Sequence, residues 1–172
     1  MKKLTIIFLI IILIMCISFL SACESRKECI DELNATFNGG LKFAEKAPSD
    51  PRKIDGFIYE PGFGCYSLNS EDGQTSYTIS GYPDSSGDDH ITYFTTKNDK
   101  YEVFGFSVGD SIESAIDILS EKGYQVEKEF VHGKVMKKSI ITISVFSGIG
   151  GIDNIGSIFI RLKTTNKQGI TY

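Results

Sequence analysis

The sequence predicts an α+β fold: an antiparallel sheet of five to six strands, with one main helix over about residues 111–122 packed on one face in two layers. Three observations carry this expectation. From about residue 57 the chain breaks into short β-like runs separated by turn residues. Asp72-Gly73 is a tight-hairpin signal between two of those runs. A single capped apolar helix interrupts the strands, which fits a helix on an antiparallel sheet better than a parallel β-α-β plan. The chain has 172 residues, enough for one domain that buries roughly two-thirds of its unfolded surface.

The N-terminus comes first. Lys2 and Lys3 precede an apolar run, Leu4 to Leu20, broken only by Thr5, Cys16 and Ser18. It is longer than the usual apolar stretch of an export signal and slightly short for a comfortable membrane span. Leu20-Ser21-Ala22-Cys23 resembles the lipobox of bacterial lipoproteins. That resemblance implies cleavage between Ala22 and Cys23, a diacylglycerol on the Cys23 thiol, and a mature domain held on the outer side of the cell membrane. Two acyl chains suffice for stable anchoring, since each buried methylene contributes about 0.8 kcal/mol. Removal of Lys2 and Lys3 takes the net charge from −4 to −6.

Residues 23–56 read as a polar tether carrying a short helix near 28–37, where Ile30, Leu33 and Phe37 share helical spacing before Gly39-Gly40. Residues 57–172 form the α+β domain. Its strand expectations begin with Phe57–Tyr59, Cys65–Leu68, Ser76–Ser80, Ile91–Thr96 and Tyr101–Phe104, with Asp84 to His90 as a turn cluster. In the helix, Asp110 and Glu113 form a capping-box pattern, Ile112, Ala115, Ile116 and Leu119 share a face, and Gly123 supplies the C-terminal cap. Three strands follow, Tyr124–Phe130, Val135–Phe146 and Ile155–Lys163. The last two pair across a glycine-rich loop, in a register setting Ile141 against Ile160, Ile143 against Ile158 and, on the other face, Lys138 against Lys163. No sequence repeat is visible.

The site-like features are few. Gly105-Phe106-Ser107-Val108-Gly109 matches the nucleophile-elbow pattern of serine hydrolases, with His132 as the following histidine. The helix caps three residues too late for an elbow and the alternating β/α order is missing, so a strand end and a glycine turn are the simpler reading. No metal-ligand spacing and no phosphate loop ahead of a helix is found, and no cofactor is expected. Cys29 and Cys65 remain once Cys16 is cleaved and Cys23 is lipidated; outside the cytoplasm they form either a disulfide or two separate thiols.

Charge is uneven. Residues 130–172 hold Lys134, Lys137, Lys138, Arg161, Lys163 and Lys167 against Asp153 alone, while the preceding part is strongly acidic. Lys138, Phe159, Arg161 and Lys163 fall on one face in the register above, either an outer sheet face with lysines guarding its ends or a patch suited to an acidic partner, an anionic envelope polymer or lipid headgroups. The acidic balance argues against nucleic acid.

Val103 to Glu127, with Gly105, Gly109, the apolar helix face and Gly123, resembles the strand–turn–helix–strand unit of small secreted α+β modules. The β-lactamase-inhibitor-protein fold and the small lipoproteins of outer-membrane assembly use such a unit. The resemblance implies a binding module without catalytic chemistry, or an inhibitory or assembly subunit of a membrane complex. It transfers no partner and no site residue.

Overall fold

The computed structural model describes residues 25–62, 64–81, 89–148, 151 and 153–163. Its first element is α1, Arg26–Thr36. Ser25 and Glu28 cap it reciprocally: the Glu28 amide donates to Ser25 Oγ at 3.2 Å, and the Ser25 amide donates to Glu28 Oε2 at 2.7 Å. These bonds hold the Glu28 carboxyl below its ordinary pKa. Cys29, Ile30 and Leu33 of α1 are buried, followed by Phe37 and Phe43. Asn34 fastens the return of the chain, donating to the Phe43 carbonyl at 2.9 Å and accepting from its amide at 2.8 Å. Beyond it the Ala44 and Ala47 amides bond the Ile91 and Asp89 carbonyls. The expected tether is therefore corrected over 26–47: its apolar residues complete the core, and its backbone is tied to a strand.

Eight strands make one antiparallel sheet: β1 Phe57–Pro61, β2 Cys65–Ser70, β3 Thr75–Gly81, β4 Asp89–Thr96, β5 Gln125–Phe130, β6 Gly133–Lys138, β7 Ile141–Ser147 and β8 Ile155–Leu162. Their spatial order is β1-β2-β3-β4-β8-β7-β6-β5. The chain thus runs helix and four-strand meander twice, with the second helix α2, Ile112–Glu121, opening the second unit and β4–β8 joining the two. This doubling is topological, not a repeat in the residues.

The sheet is larger than the five to six strands expected because seven of the eight strand-like runs enter it, one of them as two strands, and two local features set where the runs and the strands differ. Val135–Phe146 is two strands, because Lys138 pairs with Ile141 across a two-residue turn at Ser139-Ile140, with Ser139 at φ 54°. Tyr101–Phe104 is no strand: Phe104 (φ 52°) and Gly105 (φ 85°) reverse the chain, and Val103 and Phe106 exchange backbone hydrogen bonds. A phenylalanine in the left-handed region costs about 1–3 kcal/mol. Burial of that ring against Tyr124, centroids 5.8 Å apart, offsets it.

The core lies on one face of the sheet. A row of mutually paired residues crosses all eight strands, namely Tyr59, Leu68, Tyr77, Phe94, Ile160, Ile143, Met136 and Val126. Only the end members leave the buried core. Both helices bury their apolar side chains on this face, α2 through Ala115 and Leu119 against β6 and β7. The sequence placed α2 well, but its cap is Ser111, whose Oγ accepts from the Ser114 amide. Asp110, expected as the cap, instead accepts from Ser107.

Candidate functional site: the open sheet face

Among the described residues no helix packs on the second face of the sheet. Side chains alternate across a strand, so the residues between the core positions must form this face. On β2, β3 and β4 these are small and polar: Ser67, Asn69, Ser76, Thr78 and Thr95. Toward β8, β7 and β6 the character changes. One row reads Tyr93, Arg161, Thr142 and Lys137; the next reads Thr95, Phe159, Ser144 and Val135. All of these but Thr95 line an open groove of about 590 Å³, together with Phe146, Glu127 and Lys163.

An aromatic strip runs through the groove. Ring centroids are 6.4 Å apart for Tyr93 and Phe159, 5.7 Å for Phe159 and Phe146, and 5.6 Å for Phe146 and Phe130. Gly133 makes the last contact possible. It pairs with both Phe130 and Phe146, and a Cβ there would run into the Val145 carbonyl and the Phe146 ring. Lys128 lies over the Phe130 ring, 4.7 Å from its centroid. Burial raises the Tyr93 phenol, with the Arg161 charge and a Thr95 hydrogen bond acting the other way, so Tyr93 stays protonated at neutral pH.

Cations distinguish the groove from the polar half of the face. Lys137 donates to Glu127 Oε1 at 2.7 Å, both partly exposed. Arg161 and Lys163 are exposed, and neither has an ion pair with a described carboxylate. An arginine and a lysine two residues apart on a strand, beside aromatic rings, can hold an anion against an apolar surface.

The structure brings together three of the four expected patch residues. Phe159, Arg161 and Lys163 share the groove; Lys138 is corrected to the other face. The Ser139-Ile140 turn makes Lys138 share a side with core residue Ile141, and its Nζ donates to Glu32 Oε2 of α1 at 2.9 Å. The register shifts accordingly: Ile141 faces Leu162 and Ile143 faces Ile160, two residues from the expected pairing. Lys137 takes the place of Lys138 in the groove. Its sequence signal was parity alone, readable only after the turn is recognised.

Ser107 and His132 do not form a nucleophile–base pair. Ser107 Oγ donates to Asp110 Oδ2 at 3.1 Å and its amide to the same oxygen at 2.7 Å. His132 sits in the β5–β6 turn, its carbonyl accepting from the Ser147 amide. No disulfide joins Cys29 and Cys65: Cys29 is buried on the core side of α1, and Cys65 lies at the start of β2 beside the Gly62 turn. Residues 1–24, with Ala22 and Cys23, and most of the Asp84–His90 cluster lie outside the described residues. Among the described helices none is long and apolar enough to cross a membrane. Comparison with protein-family models, with curated proteins and with solved structures finds no match for this chain.

Proposed function

We propose that this chain is a lipid-anchored extracytoplasmic protein whose domain is a non-enzymatic binding module for an anionic partner in the cell envelope. The anchor reading rests on Leu20-Ser21-Ala22-Cys23 behind a charged and apolar leader, with diacylglycerol on Cys23. The binding reading rests on one observation. An open groove on the uncovered sheet face joins an aromatic strip to two cations, Arg161 and Lys163, that have no described carboxylate partner. Contiguous aromatic surface with arginine is the composition of binding hot spots.

Nothing in this arrangement asks for turnover. The groove offers no nucleophile beside a base, and the serine of the G-x-S-x-G segment is tied to Asp110. The test is crosslinking and pull-down of the anchored protein from its own cells, wild type against the double reversal Arg161→Glu, Lys163→Glu. A partner captured by the wild type and lost in the reversed variant is expected. An identical set of captured molecules from both would end this reading.

A further inference from the structure

The anchor and the groove belong to opposite layers of the domain. Ser25 caps α1, and α1 packs on the core face through Cys29, Ile30 and Leu33, whereas Phe159, Arg161 and Lys163 lie on the uncovered face. This inference rests on the reading of Cys23 as the lipidated residue. In that case only Glu24 separates Cys23 from the helix cap Ser25, and the two positions are at most about 7 Å apart along the chain. So short a link holds the N-terminal end of α1, on the helix layer, close to that membrane. The groove is then separated from the anchor layer by at least one helix diameter, about 10–12 Å, and by the sheet itself. Headgroups of the anchoring bilayer are thus poorly placed to fill it.

The chemistry of the groove narrows what does. Phe159 and Arg161 on β8, and Lys163 just past its end, recur at every second residue, about 6.8 Å apart at the usual strand rise. An extended polypeptide repeats its own side chains at the same interval, so an apolar residue and two carboxylates at alternate positions would match ring, guanidinium and ammonium in turn. A sugar polymer fits less well. An uncharged one would leave the charges of Arg161 and Lys163 without a counter-charge, and among the described lining residues the one carboxylate, Glu127, is already bonded to Lys137. Arginine with phenylalanine and tyrosine is instead what protein interfaces concentrate at their centres.

We propose that the groove takes an extended acidic segment of another protein, presented from the side away from the anchoring bilayer, with an apolar side chain on Phe159 and carboxylates on Arg161 and Lys163. The test uses the mature lipidated chain in phosphatidylcholine vesicles. Intact mass first establishes the glyceride on Cys23; its absence ends the anchoring reading and the membrane-side argument, while the peptide result still judges the groove. A fluorescent peptide, Leu-Ser-Glu-Ser-Glu, is then titrated against wild type, Arg161→Glu/Lys163→Glu, Phe159→Ser and, as a helix-side control, Lys27→Glu.

Saturable binding is expected, weakened at least tenfold by the double reversal and by glutamine in place of both glutamates. Phe159→Ser should weaken it at least threefold, and Lys27→Glu should leave it within twofold. Absence of saturable binding would overturn the proposal, as would equal loss in the Lys27→Glu control. So would groove-dependent binding of the unlipidated chain to phosphatidylglycerol vesicles, which would make a headgroup the ligand. Displacement of the peptide by polyphosphate without any dependence on Phe159 would overturn it too.

Discussion

Replacing Leu33 by alanine separates a helix that builds the core from a polar tether. Leu33 has no exposed surface and lies in the same buried cluster as Phe37, Phe43, Phe94 and Tyr77. Truncating a fully buried leucine costs about 2–5 kcal/mol, from lost transfer energy and the cavity left behind. The surroundings of Leu33 are braced by ring contacts of Phe37 with Phe43 and Phe94, at 5.3 Å and 4.8 Å, and by the two Asn34–Phe43 hydrogen bonds. Such a site collapses poorly, which places the cost near the middle of the range, about 3 kcal/mol. With a urea dependence of about 2 kcal/mol per molar, the midpoint should fall by about 1.5 M. The assay is equilibrium urea unfolding of the mature domain, with Lys27→Ala as the exposed control, expected within about 0.5 kcal/mol of wild type. A Leu33→Ala midpoint within 0.3 M of wild type would refute the reasoning and return residues 26–37 to the role of tether.

Three further outcomes follow from named contacts. Gly133→Ala should destabilise the domain by about 1–3 kcal/mol, since the added methyl meets the Val145 carbonyl and the Phe146 ring; unchanged melting would remove the role given to that glycine. Lys138→Met should lose stability in a pH-dependent way. Burial works to raise the Glu32 carboxyl, but hydrogen bonds and charge from Lys138 and Lys122 outweigh it and hold the pKa below its ordinary value. A depressed carboxyl contributes stability above its unfolded pKa and loses it as pH falls through the folded one, so the gap between variant and wild type, about 1 kcal/mol at pH 7, should close toward pH 3. A gap constant from pH 7 to pH 3 would contradict the pairing. Ser111→Ala should cost about 1 kcal/mol by removing the α2 cap, and an equal loss on Thr95→Ala in denaturant unfolding would leave capping without support.

What could be read from the residues, and what could not, has physical causes. Helix α2 is legible because Ala115 and Leu119 recur at helical spacing ahead of Gly123, which adopts φ 83° as a C-terminal cap requires. The β2–β3 hairpin is legible because Asp72-Gly73 states its turn: Asp72 accepts from the Gln74 amide and Gly73 takes φ 66°. The β6–β7 turn is not, because Ser139-Ile140 carries neither glycine nor asparagine, and the apolar run continues across it. One missed turn inverted the parity of everything before it, which moved Lys138 onto the wrong face and hid Lys137. Helix α1 is legible in the spacing of Ile30 and Leu33, but its burial is not, because it depends on strands far along the chain. The doubled helix-and-meander plan leaves no trace in composition, since only the alternation of apolar and polar positions is repeated.

The groove itself was half visible. Phe159 and Arg161 alternate on β8 and Lys163 follows two residues on, just past its end, so any register keeps them together. Their setting beside Tyr93 needs the β4–β8 pairing, which joins strands about seventy residues apart, and no local signal specifies it. The charge asymmetry between the two parts of the chain is a coarse signal. It counts cations without saying which of them a carboxylate already holds.

Footprinting on the membrane tests the central claim most directly. Hydroxyl-radical labelling of Tyr93, Phe146 and Phe159 can be compared between the purified domain and the protein in its native envelope, with Tyr59 at the far edge of the sheet as the internal reference. The account predicts that the three groove rings are protected in the envelope and regain their labelling in the Arg161→Glu, Lys163→Glu variant, while Tyr59 changes in neither. Equal labelling of the groove rings in the purified and native states would contradict it.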